Sequence, residues 1–281
     1  MRIFRLYGDR IEECEKIEKR IAYRLFSGVG LFETMKVLKG YPLFIEDHIE
    51  RLEGSIKKVW DRTLNKEIIL NVSVQIAKEA GDLAVLKIIL VEDKLEFFFF
   101  FVIDDYPYSH TSDLSIKIVD FERNPRSFSS GMKPISYFDN VVLREKANAE
   151  GFDEVILLSR GFIAEGTRSN LFWVKDGKIF TPPLELGILK GITRTKVIEL
   201  CRTLGIDVQE AKIRPDELVK SDGVFLTSSL MGIAPVKFIS FEKFWEFKTN
   251  KDILSLKSKF SDLELIYVLE KTKKLSTSAR S

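Results

Sequence analysis

Apolar and polar residues in the first segment after Gly28 follow the pattern that is typical of a strand. Gly30 to Lys39 has this pattern, and Lys39-Gly40 predicts a turn into a second strand from Tyr41 to Ile45. The period then changes to that of a helix, for which Asp47 is the predicted N-cap. The apolar face of that helix consists of Ile49, Leu52, Ile56 and Val59.

Three more elements are predicted before residue 105. Glu67 to Glu79 has the pattern of a helix that ends before Gly81, and two apolar runs, Ala84 to Val91 and Leu95 to Ile103, predict a hairpin. The second run contains five consecutive phenylalanines, Phe97 to Phe101, which favour a strand buried on both faces over an aromatic set that stacks on a cofactor. Residues 1–105 are therefore expected to form one small domain of mixed α/β (α+β) type.

A short polar stretch, residues 106–113, is the predicted linker to a second domain at 114–270, and 271–281 is the predicted frayed tail. The helices expected after the linker are Tyr137 to Glu150 and Thr193 to Leu204. The expected strands are Leu114 to Asp120, Glu154 to Ser159, Phe162 to Ala164, Leu171 to Val174, Ile206 to Ile213 and Gly223 to Thr227.

Composition excludes several classes of protein. The 281 residues are 45% hydrophobic with a net charge of +2, which suits a globular core and gives no basic block for nucleic acid or an anionic membrane. Two cysteines and two histidines do not form a cluster with metal-ligand spacing, so we expect neither a structural metal nor a disulfide framework. The first residues lack a signal-peptide core, and no apolar run is long enough to span a bilayer. We expect a cytoplasmic protein.

Two residues are candidates for covalent and acid–base chemistry. The amine of Lys133, in the turn Gly131-Met132-Lys133-Pro134, condenses with an aldehyde when it is unprotonated. Glu165 follows a predicted strand, and its carboxylate can keep a pyridine nitrogen protonated. Taken singly, each is better explained as a solvated surface charge, because most lysines and glutamates in a protein are exposed.

Three further groups suit a phosphate. Gly191-Ile192-Thr193 opens a predicted helix, where backbone N–H groups and the helix dipole attract anions, although a plain helix cap explains the spacing equally well. Ser228-Ser229 follows a predicted strand and suits a loop on the phosphate side, although a generic turn also explains this pair. Arg51 lies one turn after His48 on the helix that Asp47 is expected to cap, and an arginine there can hold a phosphate through two hydrogen bonds.

The amino-acid sequences of these segments resemble those of the class IV, or fold type IV, pyridoxal-phosphate enzymes. The resemblance covers residues 28 to about 239. The matching segments are Asp47-His48-Ile49-Glu50-Arg51-Leu52, Lys133-Pro134-Ile135-Ser136-Tyr137, Ala164-Glu165-Gly166-Thr167-Arg168-Ser169-Asn170-Leu171-Phe172 and Gly187-Ile188-Leu189-Lys190-Gly191-Ile192-Thr193-Arg194. The resemblance implies two α/β domains with pyridoxal 5'-phosphate in the cleft between them, and a homodimer.

The resemblance also implies a role for each residue. Lys133 would bind the cofactor covalently, Tyr137 its phenolic oxygen and Glu165 its pyridine nitrogen. The phosphate would be held by Arg51, Ile192, Thr193, Ser228 and Ser229, with Ser228-Ser229 standing where the family usually has Gly-Thr.

The sequence constrains the identity of the reaction less than it constrains the identity of the cofactor. The segment Phe32-Glu33-Thr34 is similar to that of the lyases and D-amino-acid aminotransferases, and branched-chain enzymes usually have Phe-Glu-Gly there. We therefore expect 4-amino-4-deoxychorismate lyase, which releases pyruvate and leaves 4-aminobenzoate for folate synthesis. The alternatives are an aminotransferase for branched-chain or D-amino acids and, more distantly, a non-catalytic scaffold that needs neither Lys133 nor Glu165.

Overall fold

The computed structural model describes residues 1–108 and 113–278, and the chain divides into two compact units. The first unit contains residues 1–108, 132–136 and 263–278, and the second contains 113–131 and 137–262. This division differs from the predicted one, which assigned 114–270 to a single domain: the segment with Lys133 and the end of the chain belong to the first unit. Residues 109–112 of the predicted linker lie outside the described residues.

The described part of the first unit forms a six-stranded antiparallel sheet in the order β2-β1-β6-β5-β3-β4. Its strands are β1 (Arg2–Tyr7), β2 (Arg10–Glu13), β3 (Gly30–Leu38), β4 (Tyr41–Pro42), β5 (Leu83–Asp93) and β6 (Glu96–Asp105). Its first three helices are α1 (Lys19–Phe26), α2 (Ile45–Trp60) and α3 (Lys66–Glu79). The predicted hairpin is confirmed, with its turn at Lys94 and Leu95, which both have positive φ.

The start of α2 corrects a prediction. A strand from Tyr41 to Ile45 was expected, but pairing stops at Pro42 and the helix begins at Ile45. Phe44 is the N-cap residue, with a left-handed φ of 52°, and Asp47 lies in the first turn instead of capping the helix. Burial of the consecutive apolar side chains before α2 explains the difference, because a strand would have sent alternate side chains to opposite faces.

The phenylalanine run forms a strand that is buried on both faces, as predicted. Phe98 to Phe101 are all buried in β6. Phe98 and Phe100 pack with Ile21 of α1, whereas the ring of Phe97 contacts Trp60 of α2. These side chains are therefore part of the core of the first unit.

The described part of the second unit forms a nine-stranded sheet in the order β12-β11-β10-β13-β14-β7-β8-β9, with β15 paired to β14. Because β9 also pairs with β10, six of these strands close into a ring around an apolar core that includes Leu171, Val224 and Leu226. The strands are β7 (Leu114–Glu122), β8 (Glu154–Ser159), β9 (Phe162–Gly166), β10 (Asn170–Lys175), β11 (Lys178–Thr181), β12 (Val208–Glu210), β13 (Gly223–Ser228), β14 (Gly232–Phe241) and β15 (Lys243–Glu246).

Helices α4 (Phe138–Ala149), α5 (Ile192–Thr203) and α6 (Pro215–Leu218) belong to the second unit, and α5 packs against β13. The strand predicted from Ile206 to Ile213 is limited to β12. Together with the first unit, these elements confirm the mixed α/β class.

Helix α7 (Lys251–Ser278) includes most of the frayed tail that was predicted for 271–281, of which residues 279–281 lie outside the described residues. Within the first unit, Glu264 accepts a 2.6 Å hydrogen bond from Lys36 of β3, and Glu46 of α2 accepts hydrogen bonds from Tyr267 and Lys271. These contacts order a segment whose composition suggested a solvated end. No helix in the described ranges has the length and apolarity needed to cross a bilayer.

Candidate active site

Backbone pairing with β3 holds Lys133 in the first unit. The N–H of Phe32 donates to the carbonyl of Lys133 at 2.9 Å, and the N–H of Ile135 donates to the carbonyl of Gly30 at 3.0 Å. Gly30 is needed for this close approach, because a Cβ there would lie 2.5 Å from the carbonyl oxygen of Leu90 and 2.9 Å from Ile135. The lysine therefore has a strand-like support although it lies far from β3 in sequence.

The side chain of Lys133 lies on one face of the sheet. Its Nζ is 4.0 Å from the ring centre of Phe32, a residue that shares a strand face with Thr34 and Lys36. Lys87 of β5 is paired with Thr34, and its Nζ lies 5.6 Å from the same ring. We call Phe32, Thr34, Lys36 and Lys87 the lysine face. Lys36 and Lys87 were not among the predicted site residues, although both alternate with apolar residues in their strands.

Lys87 is the half-buried cation of this face that carries no ion pair among the described residues. Lys36, by contrast, is buried and bonded to Glu264. A half-buried ammonium without a counter-ion is suited to an anionic group of a ligand, since pairing there is less screened than at an exposed site.

On the opposite face of β3, Arg51 is bound to Glu33, a buried carboxylate that the sequence analysis did not identify. The Nε of Arg51 donates to Oε1 of Glu33 at 2.8 Å, and its Nη2 donates to Oε2. Burial alone would raise the pKa of Glu33, but Arg51 and His48 outweigh burial and lower the pKa to about 2. Glu33 is thus ionised and fixes the plane of the guanidinium.

His48 completes this buried group. Its Nδ1 lies 2.7 Å from Oε2 of Glu33. Burial lowers the pKa of His48, and the nearby charges of Arg51 and Lys133 lower it further, against the raising effect of Glu33. A neutral His48 that donates from Nδ1 to Glu33 satisfies these constraints, so that Arg51 is the cation that pairs with the Glu33 carboxylate.

In the second unit, Glu165 lies at the end of β9 and is buried and fully surrounded by donors. Arg123 donates from Nη1 to Oε1 of Glu165. Oε2 accepts hydrogen bonds from the Asn170 amide at 3.1 Å and from the Leu189 N–H at 3.0 Å. One guanidinium, one side-chain amide and one backbone N–H therefore bind this carboxylate. Arg123 and Asn170 were not singled out from the sequence.

A second buried carboxylate, Glu154 of β8, shapes the loop that follows Glu165. It accepts hydrogen bonds from the N–H and hydroxyl of Thr167 and, at 2.9 Å, from the hydroxyl of Ser169. A side chain at Gly166 would meet the Ser169 hydroxyl at 2.2 Å, so only glycine fits in this loop. Asn140 of α4 donates to the carbonyl of Thr167 at 2.6 Å. The residues that follow Glu165 therefore have a structural role, because they form hydrogen bonds with Glu154 and pack closely in this loop.

The start of α5 has the features of an anion site. Gly191 is the N-cap residue, no side chain caps the helix, and no acidic residue lies in its first turn. Ile192 and Thr193 are buried there, so the N–H groups of this turn need partners other than bulk water. A Cβ on Gly191 would lie 2.0 Å from Oδ1 of Asn170, which shows how closely the helix start approaches β10.

The structure locates the remaining predicted residues without assigning them a ligand. Tyr137 is the half-buried N-cap residue of α4. Ser228 ends β13 and accepts a 3.2 Å hydrogen bond from the N–H of Met231, and Ser229 follows in the same turn. Arg51 and Lys133 both belong to the first unit, where the charge of Lys133 acts on His48 and His48 shares the Glu33 carboxylate with Arg51. Glu165, Ile192 and Thr193 are brought together in the second.

Comparison with known proteins decides the family. The model of the amino-transferase class IV family matches residues 30–239. The chain belongs to the class IV aminotransferase family. It is 29% identical to the aminodeoxychorismate lyase of Bacillus subtilis, over 81% of this chain and 83% of that protein. It is also 29% identical, over 94% of this chain and 96% of the relative, to a protein of Methanocaldococcus jannaschii whose name assigns it provisionally to the branched-chain-amino-acid aminotransferases.

Solved structures confirm the fold. A hypothetical aminotransferase from Mycobacterium tuberculosis in its PLP-bound form superimposes with a TM-score of 0.85 at 20% identity, covering 94% of this chain and 99% of the other. This class IV enzyme is pyridoxal-phosphate-dependent, as expected. The donor set fits that cofactor: a lysine amine and a half-buried arginine in the first unit, and a buried carboxylate and an uncapped helix start in the second.

Proposed function

We propose that this class IV enzyme is a 4-amino-4-deoxychorismate lyase, which eliminates pyruvate and leaves 4-aminobenzoate for folate synthesis. The observation that carries the proposal is the lysine face. The substrate bears two carboxylates, and Lys87 offers a half-buried cation on the face that also presents the Lys133 amine. A branched-chain amino acid has an apolar side chain, which gains nothing from a charged and polar wall at Thr34, Lys36 and Lys87.

In this proposal the residues of the first unit bind cofactor and substrate and move protons. Lys133 would hold the cofactor aldehyde in the resting enzyme, and once the substrate amine has displaced it, its free Nζ would take the substrate ring proton that aromatisation releases. The same Nζ returns a proton to the departing enolpyruvyl group, so that pyruvate is released. Arg51, held in plane by Glu33, binds the cofactor phosphate.

The residues of the second unit hold charge and orient the cofactor. When bound, pyridoxal phosphate supplies an electron sink for the substrate carbanion. Glu165 keeps a negative charge for the pyridine nitrogen, and Tyr137 donates its hydroxyl to the phenolic oxygen. The first turn of α5, with Ile192 and Thr193, and the turn at Ser228 and Ser229 bind the phosphate.

The second candidate is an aminotransferase for branched-chain or D-amino acids. It is favoured by the M. jannaschii relative, which is similar over almost the whole chain. The residues assigned above to the cofactor serve both reactions, so the substrate wall has to discriminate between them. A non-catalytic scaffold would have no use for a buried Glu165 bound by Arg123.

The test is an assay of the enzyme loaded with pyridoxal phosphate. Aminodeoxychorismate is supplied and pyruvate is measured with lactate dehydrogenase, beside a panel of L- and D-amino acids with 2-oxo acids. The proposal expects pyruvate release at a rate far above transamination. Transamination without pyruvate release would establish the aminotransferase, and neither activity despite bound cofactor would favour the scaffold.

A variant of the substrate wall sharpens this test. Lys87→Met keeps the length of the side chain and removes its charge, so KM for aminodeoxychorismate should rise about tenfold or more, as expected for loss of one charged hydrogen bond. The matched control is Lys94→Met, an exposed lysine at the tip of the same hairpin, which should leave KM unchanged. Equal KM values in both variants would remove Lys87 from substrate binding.

We also infer a cytoplasmic homodimer, as the family resemblance implies. Sedimentation equilibrium of the loaded enzyme tests the second part, and a mass of one chain at micromolar concentration would contradict it.

A further inference from the structure

The hydroxyl of Thr227 is buried without a hydrogen-bond partner. Thr227 lies near the end of β13 and is only 2% exposed. Among the described residues, nothing donates to or accepts from its Oγ1. Buried hydroxyls in folded proteins are nearly always satisfied, and one that is not costs free energy, so this atom requires an explanation.

Strand pairing defines the face on which Thr227 lies. Thr227 is the antiparallel partner of Asn170 in β10, and directly paired residues place their side chains on the same face, about 5 Å apart at Cβ. The same face carries the stacked pair of Phe172 and Phe225, whose ring centres are 4.9 Å apart. Helix α5 packs against β13. Thr227 is therefore the direct strand partner of Asn170 on this face.

Asn170 links this position to the start of α5. Its amide group bonds to Glu165 and to the Leu189 carbonyl, and its Oδ1 occupies the space that a Cβ on Gly191 would need. Gly191 is the N-cap residue of the 12-residue helix, which no side chain caps. Asn170 thus connects the two features: it is the strand partner of the unpartnered, buried Thr227 and lies against the uncapped helix start at Gly191.

We propose that Thr227 is a further ligand of the cofactor phosphate, whose oxygen accepts the hydrogen bond that Thr227 Oγ1 otherwise lacks. The inference rests on the proposed function only in that the phosphate is held at the start of α5. A phosphate oxygen is a strong acceptor, and helix N–H groups and a hydroxyl are the donors that anion sites in proteins combine. Thr227 contributes binding and takes no part in proton transfer.

The test compares pyridoxal phosphate with pyridoxal, which lacks the phosphate. Equilibrium affinities of the apoprotein for both are measured by absorbance, for wild type, Thr227→Val and Thr227→Ser. Valine keeps the shape and removes the hydroxyl, so the preference for pyridoxal phosphate should fall about 10- to 100-fold while the affinity for pyridoxal stays the same. Serine keeps the hydroxyl and should retain the preference. Thr227→Ala provides a second variant without the hydroxyl.

Ser159 of β8 offers a matched control, because it too is a buried hydroxyl without a partner among the described residues but lies on another strand. Ser159→Ala should leave the preference unchanged. The apoprotein melting temperatures of Thr227→Val and Ser159→Ala should equal or exceed that of wild type, since each removes an unsatisfied group.

The outcomes separate this inference from the proposed function. Wild-type protein that binds pyridoxal as tightly as pyridoxal phosphate would overturn the phosphate site at α5 and Thr227 with it. A wild-type preference that survives in Thr227→Val and Thr227→Ala would overturn the role of Thr227 alone, and would show that the hydroxyl bonds to water or to nothing.

Discussion

Arg123 donates a hydrogen bond from Nη1 to Oε1 of Glu165, and 23% of the arginine side chain is exposed against 5% of the glutamate side chain. The guanidinium favours the charged form of the carboxylate in a site that water barely reaches. In the proposed function, a carboxylate that stays charged would leave the proton on the pyridine nitrogen instead of taking it. We therefore propose Arg123 as a positioning residue that acts on the cofactor through Glu165.

Arg123→Ala should lower kcat by roughly 10- to 100-fold, the loss expected for one charge-assisted hydrogen bond. Arg123→Lys, which keeps the charge, should recover part of it. The readout that separates this role from a structural one is the pH dependence of the absorbance of bound cofactor, which should change in the alanine variant. A variant with normal turnover and an unchanged spectrum would contradict the role.

Lys133 should be the lysine that carries the cofactor. Borohydride reduction of the loaded enzyme, followed by peptide mass mapping, should place the pyridoxyl mass on the peptide that contains Lys133. Lys87→Met serves as the control, because it removes the other amine near Phe32 and should not affect labelling. A label on a different lysine would refute the assignment.

Glu165→Gln keeps the shape of the side chain and removes its charge. Cofactor should still bind, while kcat falls by a factor of about 100 or more, because the interaction matters most where charge develops in the transition state. Steady-state kinetics beside a cofactor titration measure both effects. Near-normal kcat in this variant would exclude the role proposed for Glu165.

Arg51→Ala should weaken the affinity for pyridoxal phosphate by roughly 10- to several-hundred-fold, since charged hydrogen bonds contribute about 1.5–3 kcal/mol each. Pyridoxal affinity should change much less. The alanine variant also leaves Glu33 buried with His48 alone, so its stability has to be checked by thermal unfolding. Equal affinity in the variant and in wild type would remove Arg51 from the phosphate site.

Glu33 predicts how stability responds to acid. Its pKa is lowered from 4.5 to about 2 in the folded protein, so its contribution is fully present above about pH 4.5 and is lost as the pH falls towards 2. The contribution is of the order of 3 kcal/mol. Urea unfolding of wild type and Glu33→Gln between pH 2 and 7 should show the steeper decline in wild type. Parallel curves would refute the prediction.

Local pattern was sufficient for much of the fold. Residue spacing within a short segment is enough to predict the strand pattern of β3, the helical period of α2 and α3, and the turn between β5 and β6. The start of α2 was placed wrongly because Phe44 takes a left-handed conformation that no local signal announces. Helix α7 was missed at its end because its order depends on Lys36 and Glu46, which are more than 200 residues away.

The sequence by itself determined the family and the cofactor. It did so because the motifs that contain Lys133, Glu165 and Arg51 are contiguous segments, which can be recognised without the fold. Only the tertiary structure decided what surrounds them. Pairing with β3 assigns Lys133 to the first unit, Glu33 holds Arg51, and Arg123 reaches Glu165 from 42 positions earlier in the chain. A buried charge or hydroxyl needs a partner from whichever segment the fold brings close, and that partner has no fixed spacing in the sequence.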